Sequence, residues 1–324
     1  MILILAAALL LSPMVAAARS KEPVKYELTG RVRPQGQASL SLHSTTSPFM
    51  CTAQSDAAGR FRFRGLAAGA YTLAVLLPGR GEARQTIEVG PKSAGPKRRV
   101  EVTVDMTDPK VVSIEALQRR AVVSAKELSI PERARREYAE AQKKLAEPDV
   151  AAAVAHLEKA VQIAPQYWIA WNSLGTIAYQ SHDFPRAENC FREALKQNPA
   201  AFEPLVNLGG ALLTRGKWNE ALSYNTRAVG ARPHDALANA QLGMNFYYLG
   251  SLDRASEYLA AAKRIDPRHF SHPQLILAEI DVRRHDRQAA ARELEDFLRV
   301  HPDWPGAESI RRNIDRLLMA ELSE

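Results

Sequence analysis

The 324-residue sequence contains only two cysteines, Cys51 and Cys190, and they fall in different parts of the chain. A disulfide framework requires paired cysteines close in space, so we expect two free, buried thiols instead. Aromatic residues make up only 7% of the chain, while apolar residues reach 46% and charged residues 24%. These fractions are ordinary for a globular protein, and the length allows two domains.

The sequence also lacks recognisable catalytic motifs. Ser173 has no Gly-x-Ser-x-Gly setting, neither cysteine lies in a nucleophile motif, and no glycine-rich phosphate loop occurs. His269 and His272 are three residues apart, but Pro273 disfavours a regular helix and no Cys or acidic set completes a metal site. For this pair we expect a loop or surface position. We predict no enzymatic activity, no cofactor and no bound metal.

The first eighteen residues, MILILAAALLLSPMVAAA, carry no charged side chain and end in small residues. This pattern is typical of a secretory signal peptide, with cleavage after Ala18, and predicts a periplasmic or secreted protein. The lack of Lys or Arg near Met1 leaves an uncleaved anchor as the alternative. The run is short for a bilayer span of about 20 residues, and no second segment approaches that length.

The formal net charge of +7 is confined to one region. Residues 19–106 contain fourteen Lys or Arg against seven Asp or Glu, whereas the rest of the chain is neutral. Such a field favours an anionic surface, such as a phosphorylated lipid headgroup, an acidic polymer or an envelope glycan. Nucleic acid is not expected as a partner, because the signal peptide directs the chain out of the compartment that holds it.

A repeat occupies the C-terminal part of the chain. Its prolines recur every 34 residues, with a final step of 35, at Pro165, Pro199, Pro233, Pro267 and Pro302. Alanines and glycines keep the same step. Each unit has two stretches with helical periodicity, for example 167–180 and 184–197, separated by a polar break. Gly175 and Ala187 would allow close approach of the two helices.

These units resemble the tetratricopeptide-repeat pattern. Its signature positions in one unit are held by Trp171, Leu174, Gly175, Ala187, Phe191, Ala194 and Pro199. One position departs, because Ala178 stands where the family has tyrosine, next to Tyr179. The resemblance implies a superhelical α-solenoid over residues 131–301, in units 131–164, 165–198, 199–232, 233–266 and 267–301. Residues 302–324, with Ile310, Ile314, Leu317 and Leu318 at helical spacing, would form a capping helix.

The resemblance also implies that the first helix of each unit lines a concave groove that binds a protein or an extended peptide. Ten residues match groove positions: Asn172, Thr176, Tyr179, Asn207, Gln241, Met244, Tyr247, Tyr248, Glu279 and Arg283. Amides and tyrosines suit peptide recognition, since they offer hydrogen bonds and apolar area. The alternative for each is simple packing between helices. A Lys/Asn set that clamps a terminal carboxylate is not reproduced.

Apolar and polar residues alternate between Val24 and Met106, and this period of two predicts six or seven short strands. Turn clusters separate them, as at 34–36 and 55–59. We expect an antiparallel β-sandwich of prealbumin type over residues 19–106, followed by a linker over 107–130. Within the linker, residues 114–121 could form a short helix or strand.

Residues 56–73, DAAGRFRFRGLAAGAYTL, resemble the carboxypeptidase regulatory-like, transthyretin-like sandwich family. In this resemblance Asp56 and Gly59 form a tight turn, and Phe61 and Phe63 point inward. It implies an adhesion or spacer role without catalytic residues.

The sequence thus predicts an exported scaffold whose solenoid binds a polypeptide. The alternative is a glycan- or envelope-binding protein, in which the sandwich recognises the ligand and the repeats position or oligomerise it.

Overall fold

The computed structural model describes residues 24–108, 111–113 and 129–321. Within them the chain forms eight strands, where six or seven were predicted, followed by eleven α-helices. The proposed signal peptide and residues 114–121 of the linker lie outside the described residues.

The strands form two facing sheets, which confirms the predicted sandwich. The three-stranded sheet has the order β4-β1-β7 and the five-stranded sheet has the order β3-β2-β5-β6-β8. The strands are β1 Tyr26–Arg33, β2 Ser39–Ser44, β3 Met50–Gln54, β4 Arg60–Leu66, β5 Gly69–Leu77, β6 Gly81–Val89, β7 Arg99–Asp105 and β8 Val112–Ser113.

One strand pair departs from the expected antiparallel arrangement. Strands β1 and β7 are parallel, with Leu28 opposite Val100, whereas the other pairs among the described strands are antiparallel. The reason is a crossover: after β6 the chain leaves the five-stranded sheet, passes a short 3-10 turn at Pro96–Arg98 and joins the other sheet at its far edge. Alternation along a strand predicts which side chains are buried, but it does not specify strand direction.

The sandwich core lies between the sheets and follows the period of two. Leu28, Leu42 and Leu73 are fully buried, while their neighbours point to the outer faces. Gly30 lies where β1 approaches this core most closely. A Cβ there would be 2.5 Å from both the Phe61 ring and the Val102 carbonyl oxygen, so only glycine fits without displacement.

The helices form five consecutive antiparallel pairs and a final single helix. Their bounds are α1 Glu132–Ala146, α2 Val150–Ile163, α3 Trp168–Gln180, α4 Phe184–Gln197, α5 Phe202–Thr214, α6 Trp218–Ala231, α7 Ala236–Tyr248, α8 Leu252–Ile265, α9 Pro273–Arg283, α10 Arg287–Val300 and α11 Ala307–Glu321. In α11, Ile310 and Ile314 are buried and Leu317 is partly buried against the last pair, whereas Leu318 is exposed.

Aspartates define the starts of several helices. Asp149, Asp183 and Asp286 each accept a hydrogen bond from the backbone N–H three residues later, at 3.1, 3.2 and 2.8 Å. Asp235 does the same for α7 at 2.9 Å. Such caps satisfy amide groups that have no partner inside the helix. Asp149, Asp183 and Asp286 thus mark the start of the second helix of a pair, and Asp235 marks the start of a new pair.

Small residues hold the helices of a pair close together, as the repeat pattern indicated. A Cβ on Gly175 would lie 2.5 Å from the Phe191 ring, and one on Gly243 would lie 2.7 Å from Cγ of Leu259. The third pair differs, because the space opposite Gly209 is filled by Asn225. Its buried side chain donates to Oδ1 of Asn245 at 2.9 Å.

Both cysteines are free, and Cys190 is buried as expected. Cys51 is only half-buried, because β3 is an edge strand of its sheet. Burial nevertheless raises the pKa of Cys51 to about 11, so the thiol stays protonated at neutral pH.

His269 and His272 lie in the loop before α9, but His269 is buried rather than on the surface. Burial lowers the pKa of His272 to about 3. Across the described ranges, no three or more His, Cys, Asp or Glu side chains are grouped to hold a metal ion.

Candidate functional site

Strand β6 of the sandwich lies against the solenoid. The backbone N–H of Thr86 donates to Oδ2 of Asp266 at 2.8 Å, and Arg84 donates to Oε1 of Glu203 at 3.1 Å. Glu88 pairs with the buried ring of His301. Because successive side chains of a strand alternate in direction, Arg84, Thr86 and Glu88 all face the helices. The outer face of the five-stranded sheet is therefore directed at the repeats.

The solenoid residues that meet β6 occupy one recurring position. Arg232, Asp266 and His301 each immediately precede a repeat proline. Arg232 lies 3.9 Å from Glu82 and 3.1 Å from Glu203. Burial alone would raise the pKa of Glu203, but the charges of Arg232 and Arg84 outweigh it and lower that pKa. Three consecutive repeats thus contact one strand through equivalent residues.

The loop that follows β6 extends this contact to the last repeat. The backbone N–H groups of Lys92 and Ser93 donate to the two carboxylate oxygens of Asp303 at 2.8 and 2.9 Å. The Lys92 ammonium also donates to the Pro302 carbonyl at 3.0 Å. Gly90 allows the approach, since a Cβ there would lie 2.9 Å from Asp303 Oδ2.

The opposite edge of the sheet meets the first repeats. Met50 of β3 packs against the apolar cluster formed by α1 to α4. Gln180 at the end of α3 donates to the Ser44 carbonyl at 3.0 Å. The sandwich therefore contacts the first two repeats through β2 and β3 and the last three through β6 and the loop behind it.

A cavity of about 760 Å³ remains between the sheet and the concave side of the solenoid. The sheet contributes small and polar side chains of β2 and β5, namely Ser41, His43, Thr72 and Ala74. Half of the predicted groove residues form part of the opposite wall: Asn172, Thr176, Tyr179, Asn207 and Gln241. The structure therefore brings these five together, but under the sandwich rather than in an open groove.

Amide groups link the helices along this wall. Asn207 donates to Oδ1 of Asn172 at 3.0 Å, which joins α5 to α3. A Cβ on Gly210 would lie 2.5 Å from the side-chain nitrogen of Gln241. The absence of a side chain at Gly210 therefore leaves room for the Gln241 amide. Oε1 of Gln241 is buried without a hydrogen-bond partner among the described residues. A buried acceptor of this kind requires a donor from water or from a ligand.

The other five predicted groove residues do not line this cavity. Tyr247 is buried, and its hydroxyl accepts a 2.6 Å hydrogen bond from Arg283, which also pairs with Glu279 at 3.3 Å. Burial raises the pKa of Tyr247. Tyr248 is 37% exposed and stacks on Trp218, with ring centroids 5.2 Å apart. Met244 packs at the junction of two apolar clusters.

Sequence reasoning missed the sheet wall of the cavity. Its residues, such as Ser41 and Thr72, are the ordinary polar positions of an alternating strand. A signal did exist in the pre-proline positions, which hold Arg232, Asp266 and His301 in the last repeats. Polar residues at a recurring site indicate a partner common to several repeats.

In the described part of the chain, no helix has the length and apolar character needed to span a bilayer.

The fold and this cavity define a two-part protein: a β-sandwich docked on an α-solenoid. The family model for the carboxypeptidase regulatory-like domain matches residues 24–114, and that for the tetratricopeptide repeat matches residues 172–236. The chain therefore contains tetratricopeptide repeats and, before them, a carboxypeptidase regulatory-like domain. Both resemblances drawn from the sequence are confirmed.

Similar proteins match part of the chain. The chain is 28% identical over 113 residues to the human cell division cycle protein 16 homolog. The aligned residues are 32% of this chain and 18% of that protein. It is 22% identical over 147 residues to anaphase-promoting complex subunit 3 of Schizosaccharomyces pombe, covering 45% and 22% respectively. The chain thus spans about a fifth of the length of these curated relatives.

A similar solved structure is PilW, described as a widely conserved type IV pilus biogenesis factor. It superposes with a TM-score of 0.52 at 19% identity and covers 58% of this chain and 87% of PilW. At this identity the likeness shows the solenoid fold alone.

Proposed function

We propose that the chain is an exported, non-enzymatic scaffold whose solenoid binds a protein or an extended peptide. The observation that carries this proposal is the cavity wall of Asn172, Thr176, Asn207 and Gln241, which places several amide and hydroxyl groups along consecutive repeats. Side chains of this kind match the donors and acceptors of a peptide backbone. By its name, one curated relative is a subunit of a multi-protein complex, which agrees with a scaffold role.

Affinity capture from the native cell envelope tests the binding. Asn207→Ala removes an amide of the wall without entering the apolar core, and we expect the partner signal to fall about tenfold, the loss of about one hydrogen bond to a polar group. Tyr248→Ala is the matched control for an exposed residue outside the cavity. If the Asn207→Ala and Gln241→Ala variants both capture the partner as well as the wild type does, the solenoid wall is not the binding site.

Export is tested separately by cell fractionation and N-terminal sequencing. The proposal expects the mature chain in the periplasm or the medium, beginning at Arg19. A cytoplasmic chain that retains Met1 would contradict it. The non-enzymatic role is tested by assaying the purified protein for hydrolase activity, where none is expected.

A second candidate function is recognition of an anionic envelope glycan or surface by the sandwich. The outer face of the three-stranded sheet points away from the solenoid and carries Arg31 directly opposite Arg60. Arg60 pairs with Asp56 at 2.7 Å, so the exposed Arg31 is the charge that this face offers to an anionic ligand. Arg31→Glu should abolish binding of the full chain to envelope fractions if this function operates, whereas the polypeptide-binding proposal expects no change.

A further inference from the structure

The two outer faces of the sandwich differ in charge. On β6, which faces the solenoid, one basic side chain stands beside two acidic ones, Glu82, Arg84 and Glu88. On the outer face of the three-stranded sheet, alternation along β4, β1 and β7 places six arginines and three acidic residues. We call this surface the basic face and define it by its arginines: Arg31, Arg33, Arg60, Arg62, Arg64 and Arg99. The positive charge of the sandwich is therefore directed away from the repeats.

The acidic residues of the basic face do not neutralise all of its arginines. Glu27 pairs with both Arg62 and Arg99. Arg31 and Arg64 are exposed, and neither forms an ion pair with a described residue. Their charges are therefore open to an anionic ligand.

The arginines are spread over the basic face rather than gathered around one point. Residues on the same side of a strand are about 6.8 Å apart, and neighbouring strands are about 4.8 Å apart. Arg60, Arg62 and Arg64 thus form a row along β4, and Arg31 and Arg33 form a second row along β1. A single small anion is bound by donors that converge on it. A spread of guanidinium groups suits a surface that carries many anions.

The basic face is open, and exposed apolar residues lie at one end of it. The shallow depression over the face is lined by sandwich residues alone, so the repeats do not cover it. At the start of β1, Val24 is 47% exposed and is followed by the exposed Lys25. The exposed Ala67 and Ala68 follow β4 at the same end, because β1 and β4 are antiparallel. Cations beside exposed aliphatic groups suit the headgroup region of a bilayer, which offers phosphate and acyl chain together.

We propose that the basic face binds the surface of an anionic phospholipid bilayer. This inference rests on the second candidate function and makes it more specific, since it names a lipid surface rather than a glycan as the ligand. Each basic residue close to such a surface strengthens binding about fivefold. In this orientation the five-stranded sheet and the repeats lie on the side of the sandwich away from the bilayer.

Sedimentation of the full chain with lipid vesicles tests the proposal. Vesicles of phosphatidylcholine alone are compared with vesicles in which about a third of the lipid is phosphatidylglycerol. Arg31→Glu combined with Arg64→Glu reverses the two unpaired charges, and Arg31→Lys combined with Arg64→Lys keeps them. The matched control combines Arg133→Glu with Arg312→Glu, exposed positions on α1 and α11, and changes the net charge by the same amount. Residues 1–18 are the same in every variant.

We expect the wild type to bind anionic vesicles at least tenfold more tightly than phosphatidylcholine vesicles. The double glutamate variant should bind anionic vesicles at least twentyfold more weakly than the wild type, since two cations at about fivefold each are removed. The double lysine variant should stay within about threefold of the wild type, because its charges are kept, and the control should bind like the wild type. Salt that shortens the Debye length from about 10 to about 3 Å should release the wild type. Thermal unfolding confirms that each variant is folded.

The opposite results overturn the proposal. Equal binding of the wild type to both kinds of vesicle, or equal binding of the double glutamate variant and the wild type, shows that the basic face does not bind the bilayer.

A soluble acidic polysaccharide, alginate, separates this inference from the function on which it rests. If the wild type binds alginate but not anionic vesicles, and the double glutamate variant loses alginate, the bilayer is the wrong ligand and the second candidate function stands. If the wild type binds neither, both are wrong. Polypeptide binding by the solenoid does not involve the basic face, and its own test with Asn207→Ala is independent of these results.

Discussion

The two halves of this molecule differ in how their sequences define structure. In the solenoid, each helix packs mainly against its neighbours in sequence, so a period of 34 residues specifies the architecture. In the sandwich, β1 pairs with β4 and β7, which lie far along the chain. The solenoid is therefore a sum of local units, whereas the sandwich forms as one cooperative whole. All four tryptophans, Trp168, Trp171, Trp218 and Trp304, lie in the solenoid, so their fluorescence reports on one half alone.

The largest expected effect comes from Gly30→Val in the sandwich. The new side chain would overlap the Phe61 ring and the Val102 carbonyl, and overpacking at such a site costs about 3 kcal/mol or more. We expect circular dichroism to show loss of the strands while the tryptophan unfolding transition persists. Ser39→Val, at an exposed strand position, is the control. A joint collapse of both signals would show that the halves are not separate folding units.

Phe191→Ala tests the solenoid in the same way. Phe191 is fully buried against Gly175, and removing its ring should cost about 3–4 kcal/mol. Chemical denaturation followed by tryptophan fluorescence should show a lower midpoint. Because the repeats pack mainly against each other, the circular-dichroism signal of the strands should survive at denaturant concentrations that unfold the repeats. Loss of the strands at the same midpoint would contradict this independence.

A smaller effect is expected at Glu188, the buried carboxylate that links α4 to the α5–α6 turn. Burial would raise the pKa of Glu188, but hydrogen bonds and charges from Lys217 and Arg192 lower it to about 2. Because the folded state holds this carboxylate ionised, its contribution is complete above pH 4.5 and is lost as the pH falls towards 2. Glu188→Gln should cost about 2 kcal/mol at pH 7.

The pH dependence of this variant provides its own control. The stability difference between Glu188→Gln and the wild type should shrink as the pH falls from 4.5 towards 2. A difference that is constant over this range would mean that the charge of Glu188 does not stabilise the solenoid.

The smallest effect concerns the contact between the halves. Asp266→Ala removes the acceptor for the Thr86 N–H, a bond expected to contribute about 1 kcal/mol. Hydrogen exchange should accelerate at Thr86 but not at Thr72, whose strand is paired on both sides. Unchanged exchange at Thr86 would mean that this hydrogen bond does not hold β6 on the repeats.

The helices and most strands could be predicted from the sequence because their signals are local. Tetratricopeptide-repeat spacing gave α3 and α4 to within one residue, and alternation identified the inward side chains of the strands. The parallel β1–β7 pair, the docking of β6 and the burial of Tyr247 depend on contacts between distant segments. No sequence periodicity encodes such contacts. The residues of β6 and of the repeats that contact each other are mostly polar, so in the sequence they look like ordinary solvent-exposed positions. Five of the ten predicted groove residues, from α3, α5 and α7, line one wall of the cavity, but the second wall was not foreseen.

The central claim is that the sandwich docks on the concave side of the repeats through the loop after β6. A disulfide between Gly90→Cys and Asp303→Cys tests it most directly, since a Cβ at Gly90 would lie 3.5 Å from Cβ of Asp303, within disulfide range. Mild oxidation of the monomer should form this bond, identified by peptide mass spectrometry, whereas the control pair Gly65→Cys and Asp303→Cys should not link. Failure of the first pair, or equal linking of both, would contradict the account.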